Sequence, residues 1–97
     1  MVFIKKLIWD DFNTDHIARH NVTVQEVEEV CLGEFIARQT YNNRLLITGP
    51  DSTGNLLSIV LAPEGDDEYY PVTARPASKK ERQDYRQTKK GGESHDD

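Results

Sequence analysis

Between Val72 and Arg86 the chain gathers arginine, lysine and glutamate in one short run, Val72-Thr-Ala-Arg-Pro-Ala-Ser-Lys-Lys-Glu-Arg-Gln-Asp-Tyr-Arg86. A guanidinium presents a planar fork of donors that fits a phosphate bidentately, so Arg75 and Arg82 suit the binding of a phosphoryl group and of charge developing on it. Glu81 has two readings: a carboxylate can act as a general base, and the same carboxylate three residues after Ser78 completes a helix capping box. Lys79, Lys80 and Arg86 add cations, and Tyr85 is placed either to stack on a planar ring or to pack in the core. Arg44 is a further cation for the same site if its strand turns it to the same sheet surface. Imidazole as a side-chain type suits acid–base chemistry, which makes His20 a candidate; it also fits a helix C-terminus, where the dipole favours a cation.

His16 and His20 stand one helical turn apart and can present nitrogen to one face. A zinc site needs a third ligand that the neighbourhood does not supply, so neither a metal nor any other cofactor is expected. Cys31 has no cationic neighbour in sequence and falls on the apolar side of its helix, which reads as core.

The elements that must position these groups follow from period and punctuation. Residues 2–9 are β-branched and aromatic around a polar pair and predict a first strand ending at Trp9. Asp10 or Asp11 can cap a helix running to about His20 with Phe12 and Ile17 turned inward, and Asn21 suits the left-handed residue after it. Thr23 and Glu26 form a capping box for a second helix that ends at Gly33, with Val24, Val27, Val30 and Cys31 on its apolar side. The period then changes to two, predicting strands at 35–41, 44–48, 56–62 and 69–75, the first two joined by Asn42-Asn43 as a hairpin. Pro76 breaks the last strand, and Ser78 opens the basic helix. The order β-α-α-β-β-β-β-α predicts one α+β domain over 1–87, with a mostly antiparallel sheet, helices gathered on one side and the other face partly open. Residues 88–97 have no apolar side chain to bury and read as a disordered tail.

The net charge of −5 hides a segregation. From Arg75 to Lys90 seven basic residues face two acidic ones, a local +5, and the five basic and fifteen acidic residues elsewhere leave −10. A basic helix on an acidic body can focus a positive field on a polyanion, and it can equally be a solvated surface helix. With one cysteine, no apolar run near the roughly 20 residues of a membrane span and no signal peptide, the expectation is a soluble protein of the reducing cytoplasm.

The chain also resembles the BrnT-like toxins, small bacterial proteins with a fold similar to RelE-type ribonucleases. The resemblance covers residues 7–86 and rests on Ile8-Trp9-Asp10, Ala18-Arg19-His20-Asn21-Val22-Thr23 leading into Glu26-Val27, Arg44, Gly49, Gly54-Asn55-Leu56-Leu57, Thr73-Ala74-Arg75-Pro76-Ala77, Glu81-Arg82 and Tyr85. It implies the toxin of a type II toxin–antitoxin system: an mRNA endoribonuclease, ribosome-dependent or free, neutralised by a cognate DNA-binding antitoxin. Arg75, Arg82, Glu81 and His20 would then be catalytic, and Arg44, Lys79, Lys80, Tyr85 and Arg86 would bind RNA. A homo-oligomer or a heterotetramer with the antitoxin fits this expectation. The alternative, favoured by the acidic remainder of the chain, is a non-catalytic protein-interaction domain that retains the toxin fold.

Overall fold

The computed structural model describes the backbone of residues 2–94 and the side chains of residues 2–89. The elements run β1 (Lys6–Leu7), α1 (Asp11–Ala18), α2 (Val24–Leu32), β2 (Ile36–Gln39), a 3-10 turn (Tyr41–Asn43), β3 (Leu45–Pro50), β4 (Leu56–Gly65), β5 (Glu68–Pro76) and α3 (Lys79–Ser94). This is the expected α+β order, on a five-stranded sheet arranged β1-β5-β4-β3-β2.

The sheet is mostly antiparallel, as expected: three neighbouring pairs are antiparallel, and β1 runs parallel to β5, with Lys6 opposite Glu68 and Leu7 opposite Tyr69. Two expectations are corrected. The helices are not gathered on one side, because α3 lies on the sheet face opposite α1 and α2, where Glu81 meets Ser58. The first strand is two residues long rather than eight. Because β5 begins at Glu68, nothing remains for residues before Lys6 to pair with beyond one bond from Lys5 N–H to the Asp67 carbonyl, 2.8 Å. At the other end Ile8 N–H reaches Tyr69 O at 2.9 Å and the chain turns into α1.

One sheet face carries the core. Leu45 and Ile47 of β3, Leu57, Ile59 and Leu61 of β4 and Ala74 of β5 pack with Ile17, Val22, Val27, Val30 and Cys31 from the α1–α2 layer. Burying each large aliphatic side chain contributes about 1.5–3 kcal/mol, so this layer supplies the main driving force. Cys31 belongs to it: burial, with Glu28 adding to it, pushes the thiol up to about 12, and the side chain is chemically quiet.

The phase of α1 differs from expectation. Asp10 is the cap and Asn13, not Phe12, is the inward residue; Phe12 is 75% exposed and Asn13 is fully buried. The Asn13 amide explains the exchange. Its Nδ2 donates to the carbonyls of Ile8 (3.0 Å) and Pro71 (3.1 Å), and its Oδ1 accepts from Asp10 N–H at 2.9 Å. The ladder register shifts by a residue where Leu61 faces Pro71, and a proline, which has no N–H to give, is at home at such an irregularity.

Gly49 sits where β3 passes under the α2–β2 connection. A Cβ built there would lie 2.6 Å from the Glu34 carbonyl oxygen and 2.9 Å from Phe35 Cβ. Both obstacles are main chain or its first atom, which cannot swing aside. Gly49→Ala is therefore expected to cost about 2 kcal/mol and to lower Tm by roughly 10 °C in a thermal melt followed by circular dichroism. An unchanged Tm would show that the connection is loose.

Candidate functional site at the strand-to-helix corner

On the opposite sheet face the registers align Ile36, Thr48, Ser58 and Arg75 in one row across β2, β3, β4 and β5. Pro76 ends β5, Ala77 N–H ties the turn to the Leu56 carbonyl at 3.0 Å, and α3 starts above this row. Its start is the expected capping box: Ser78 N–H donates to Glu81 Oε1 at 2.8 Å, and Glu81 N–H donates to Ser78 Oγ at 3.2 Å.

Glu81 does more than cap. Arg75 grips it bidentately, Nη1 to Oε1 at 2.7 Å and Nη2 to Oε2 at 2.8 Å, and Ser58 Oγ donates to Oε1 at 2.8 Å. Ser58 Oγ also lies 2.9 Å from Thr48 Oγ1. An ionised carboxylate only accepts, so the hydroxyl of Ser58 must point at Glu81, and Thr48 must donate to Ser58. The Arg75 guanidinium, with help from Ser78 N–H and Ser58 against the opposing effect of burial, holds the Glu81 carboxyl down to about 2. The same bond raises Arg75 above its ordinary value. The Arg75 side chain remains 41% exposed, while that of Glu81 is 16% exposed, so the guanidinium is the more accessible half of the pair, although Glu81 and not Arg75 lines the neighbouring groove.

A carboxylate held near 2 is a poor general base at neutral pH, because efficient proton transfer needs a value nearer the working pH. Within this geometry Glu81 is a positioning residue that aims Arg75. Beside it opens a groove of about 480 Å³ between α3 and the sheet, lined by Phe35, Ile36, Leu46, Thr48 and Lys80 among others. Arg38 and Asp84, paired at 2.9 Å across 46 positions of sequence, also line it.

The remaining expected site residues are spread around this corner. Arg82 donates to the Ala77 carbonyl at 3.1 Å and, with Arg86, lines a separate groove. Lys79 and Lys80 are exposed at the start of α3. Tyr85 is half-buried, with the Lys89 ammonium 5.8 Å from its ring centre. Lys89 also pairs with Glu34 at 2.6 Å, and α3 runs on past Thr88, where the sequence reading placed the start of a tail; residues 95–97 lie outside the described residues. Arg44 precedes β3, four residues from Thr48, at the far end of the strand from Arg75. His20 is exposed after α1, its ring 5.6 Å edge-on from that of His16. Arg44, Arg75 and Arg82 share no hydrogen-bond partner among the described residues, and of the three only Arg82 lines either of the two grooves described.

Ser58, Thr48, Arg38 and Asp84 were not singled out from sequence. The available signal was a lone serine inside Leu56-Leu57-Ser58-Ile59-Val60-Leu61, a polar residue where the strand is otherwise apolar. Among the described residues no group of three or more His, Cys, Asp or Glu is placed to hold a metal ion, and no helix is long and apolar enough to cross a membrane. Comparisons with protein-family models, with curated proteins and with solved structures found no match to this chain.

Proposed function

We propose that this chain is the toxin of a type II toxin–antitoxin pair, of the BrnT-like, RelE-like kind, and that it cleaves mRNA at the strand-to-helix corner. The observation that carries the reading is a half-exposed Arg75, clamped on a Glu81 carboxylate that itself lines an open groove together with Lys80. RNA can be cut without a metal. The 2′-hydroxyl gives its proton to solvent as its oxygen attacks the adjacent phosphorus in line, the P–O5′ bond breaks, the leaving 5′-oxygen takes a proton from solvent, and a 2′,3′-cyclic phosphate remains. Charge builds on the non-bridging oxygens as this happens, and a guanidinium fixed in advance stabilises it without reorganising. Arg75 has that role, Lys79 and Lys80 steer the strand, and the acceleration is mainly electrostatic because Glu81 is a weak base. The cognate antitoxin would neutralise the protein by covering this groove.

A second reading is the non-catalytic interaction domain. It is favoured by the pairing of Arg75 with an internal carboxylate and by the placement of Arg82 and Arg86 in a groove that Arg75 does not line. The separating experiment incubates the purified chain with single-stranded RNA, with and without ribosomes and with divalent metal chelated, and analyses the products on a denaturing gel. Fragments with 2′,3′-cyclic phosphate ends are expected. Intact RNA in every lane, with the protein shown to be folded, would leave the interaction domain as the function.

A further inference from the structure

The first two turns of α3 form a ridge with a groove on each side: Glu81 lines one and Arg82 the other. The second groove, about 470 Å³, is lined mainly by polar groups, and Leu56 and Pro76 are the apolar side chains that reach its surface, with Val22 and Leu57 buried in the core behind them. Arg82 and Arg86 stand one turn apart on its wall, and among the described residues neither forms an ion pair, whereas Arg38, Arg75 and Lys89 each do. Two acids share the groove, and both are committed locally. Glu26 Oε1 accepts from Thr23 N–H at 2.9 Å to start α2. Asp51 Oδ1 accepts from Thr53 N–H at 2.9 Å, Thr53 Oγ1 at 2.8 Å and Asn55 N–H at 3.0 Å, closing the β3–β4 loop.

Two guanidinium groups without an ion-pair partner beside the apolar surface of Leu56 and Pro76 match the two halves of a nucleotide. We propose that this groove is a second nucleotide subsite, in which Arg82 and Arg86 hold a backbone phosphate of single-stranded RNA and the adjoining base lies on Leu56 and Pro76. The amides of Asn21 and Asn55, also on the groove, are placed to meet the edge of that base. The inference deepens the RNA-cleaving reading and rests on it: the strand crosses the α3 ridge, one nucleotide in this groove and the scissile phosphate on the Arg75 side.

The test is fluorescence anisotropy with a labelled 2′-O-methyl RNA oligomer, which lacks the nucleophile and is not cut, titrated with the full chain over a range of salt. A matched oligomer carrying abasic positions is the second probe. Arg82→Ala with Arg86→Ala should weaken binding at least about tenfold and reduce the magnitude of the log–log salt slope by about 0.7, the value for one lost phosphate contact on a single strand. The wild type should bind the abasic strand several-fold more weakly, and the double variant should no longer distinguish the two. Lys79→Ala with Lys80→Ala should lower the slope yet keep the base preference. Because Arg82 also anchors the Ala77 carbonyl, Arg82→Lys with Arg86→Lys is the folded control, expected to regain the slope. If the wild type binds RNA and the arginine-to-alanine variant binds with the same slope and base preference, the subsite is wrong and the RNA reading stands. If the wild type binds no RNA, both fall together.

Discussion

Asn13→Asp should remove about 3–5 kcal/mol at neutral pH, a large part of the 5–15 kcal/mol typical of a domain. Asn13 is fully buried, and its amide orientation is dictated by its partners. The carbonyls of Ile8 and Pro71 can only accept, so the NH2 group must face them, and the main-chain N–H of Asp10 can only donate, so the oxygen must face it. The substitution changes one atom and puts a carboxylate oxygen about 3 Å from two carbonyl oxygens with no water to screen them. The side chain would escape by keeping a proton, which could be given to one of the carbonyls. Its folded pKa is then raised above the unfolded value near 3.9, so the folded state binds more protons than the unfolded one, and stability falls as pH rises through that window. Urea unfolding at about pH 4 and about pH 7 should therefore show the variant regaining stability in acid. Asn13→Ala, which removes the donors without adding charge, should lose about 2–3 kcal/mol at both. A variant as stable as the wild type at neutral pH would mean that the amide does not stitch α1 to β5.

The same residue marks the limit of what could be read from the chain alone. Interactions that close within a few positions were legible: the capping boxes at Thr23 and Glu26 and at Ser78 and Glu81, and the left-handed Asn21, each follow from residues no more than three apart. Asn13 takes its second carbonyl from a residue 58 positions away, so a helical pattern favours Phe12 for the core and gives no reason to bury an amide. The length of β1 was hidden for a similar reason, because it is set by where β5 begins. Ser58 and Thr48 became site residues only once two strand registers placed them in the row that ends at Arg75.

Removing Arg75 should reduce RNA cleavage about 10²–10³-fold, the usual cost of losing one preorganised charge-stabilising donor. The protein should stay folded, because the Glu81 carboxylate left behind keeps the bonds from Ser58 and Ser78 and borders an open groove. Arg75→Lys should recover only part of the rate, since an ammonium cannot span both carboxylate oxygens and offer a fork to phosphate. Glu81→Gln distinguishes the two roles open to that carboxylate. Its folded value of about 2 lies below the ordinary 4.5, so the stability it contributes is fully present above about pH 4.5 and is lost as pH falls toward 2. Allowing for the exposure of Arg75, that contribution is about 2 kcal/mol, and the glutamine variant should lose it at neutral pH and show a flatter acid limb. A positioning residue replaced by its neutral isostere should lower the rate only about tenfold and leave the shape of the pH–rate profile unchanged. A loss as deep as that of Arg75→Ala, together with loss of the acidic limb of the profile, would instead make Glu81 the base. Which outcome occurs turns on whether the substrate phosphate leaves the Arg75 clamp closed or draws the guanidinium away and lets the carboxylate's proton affinity rise.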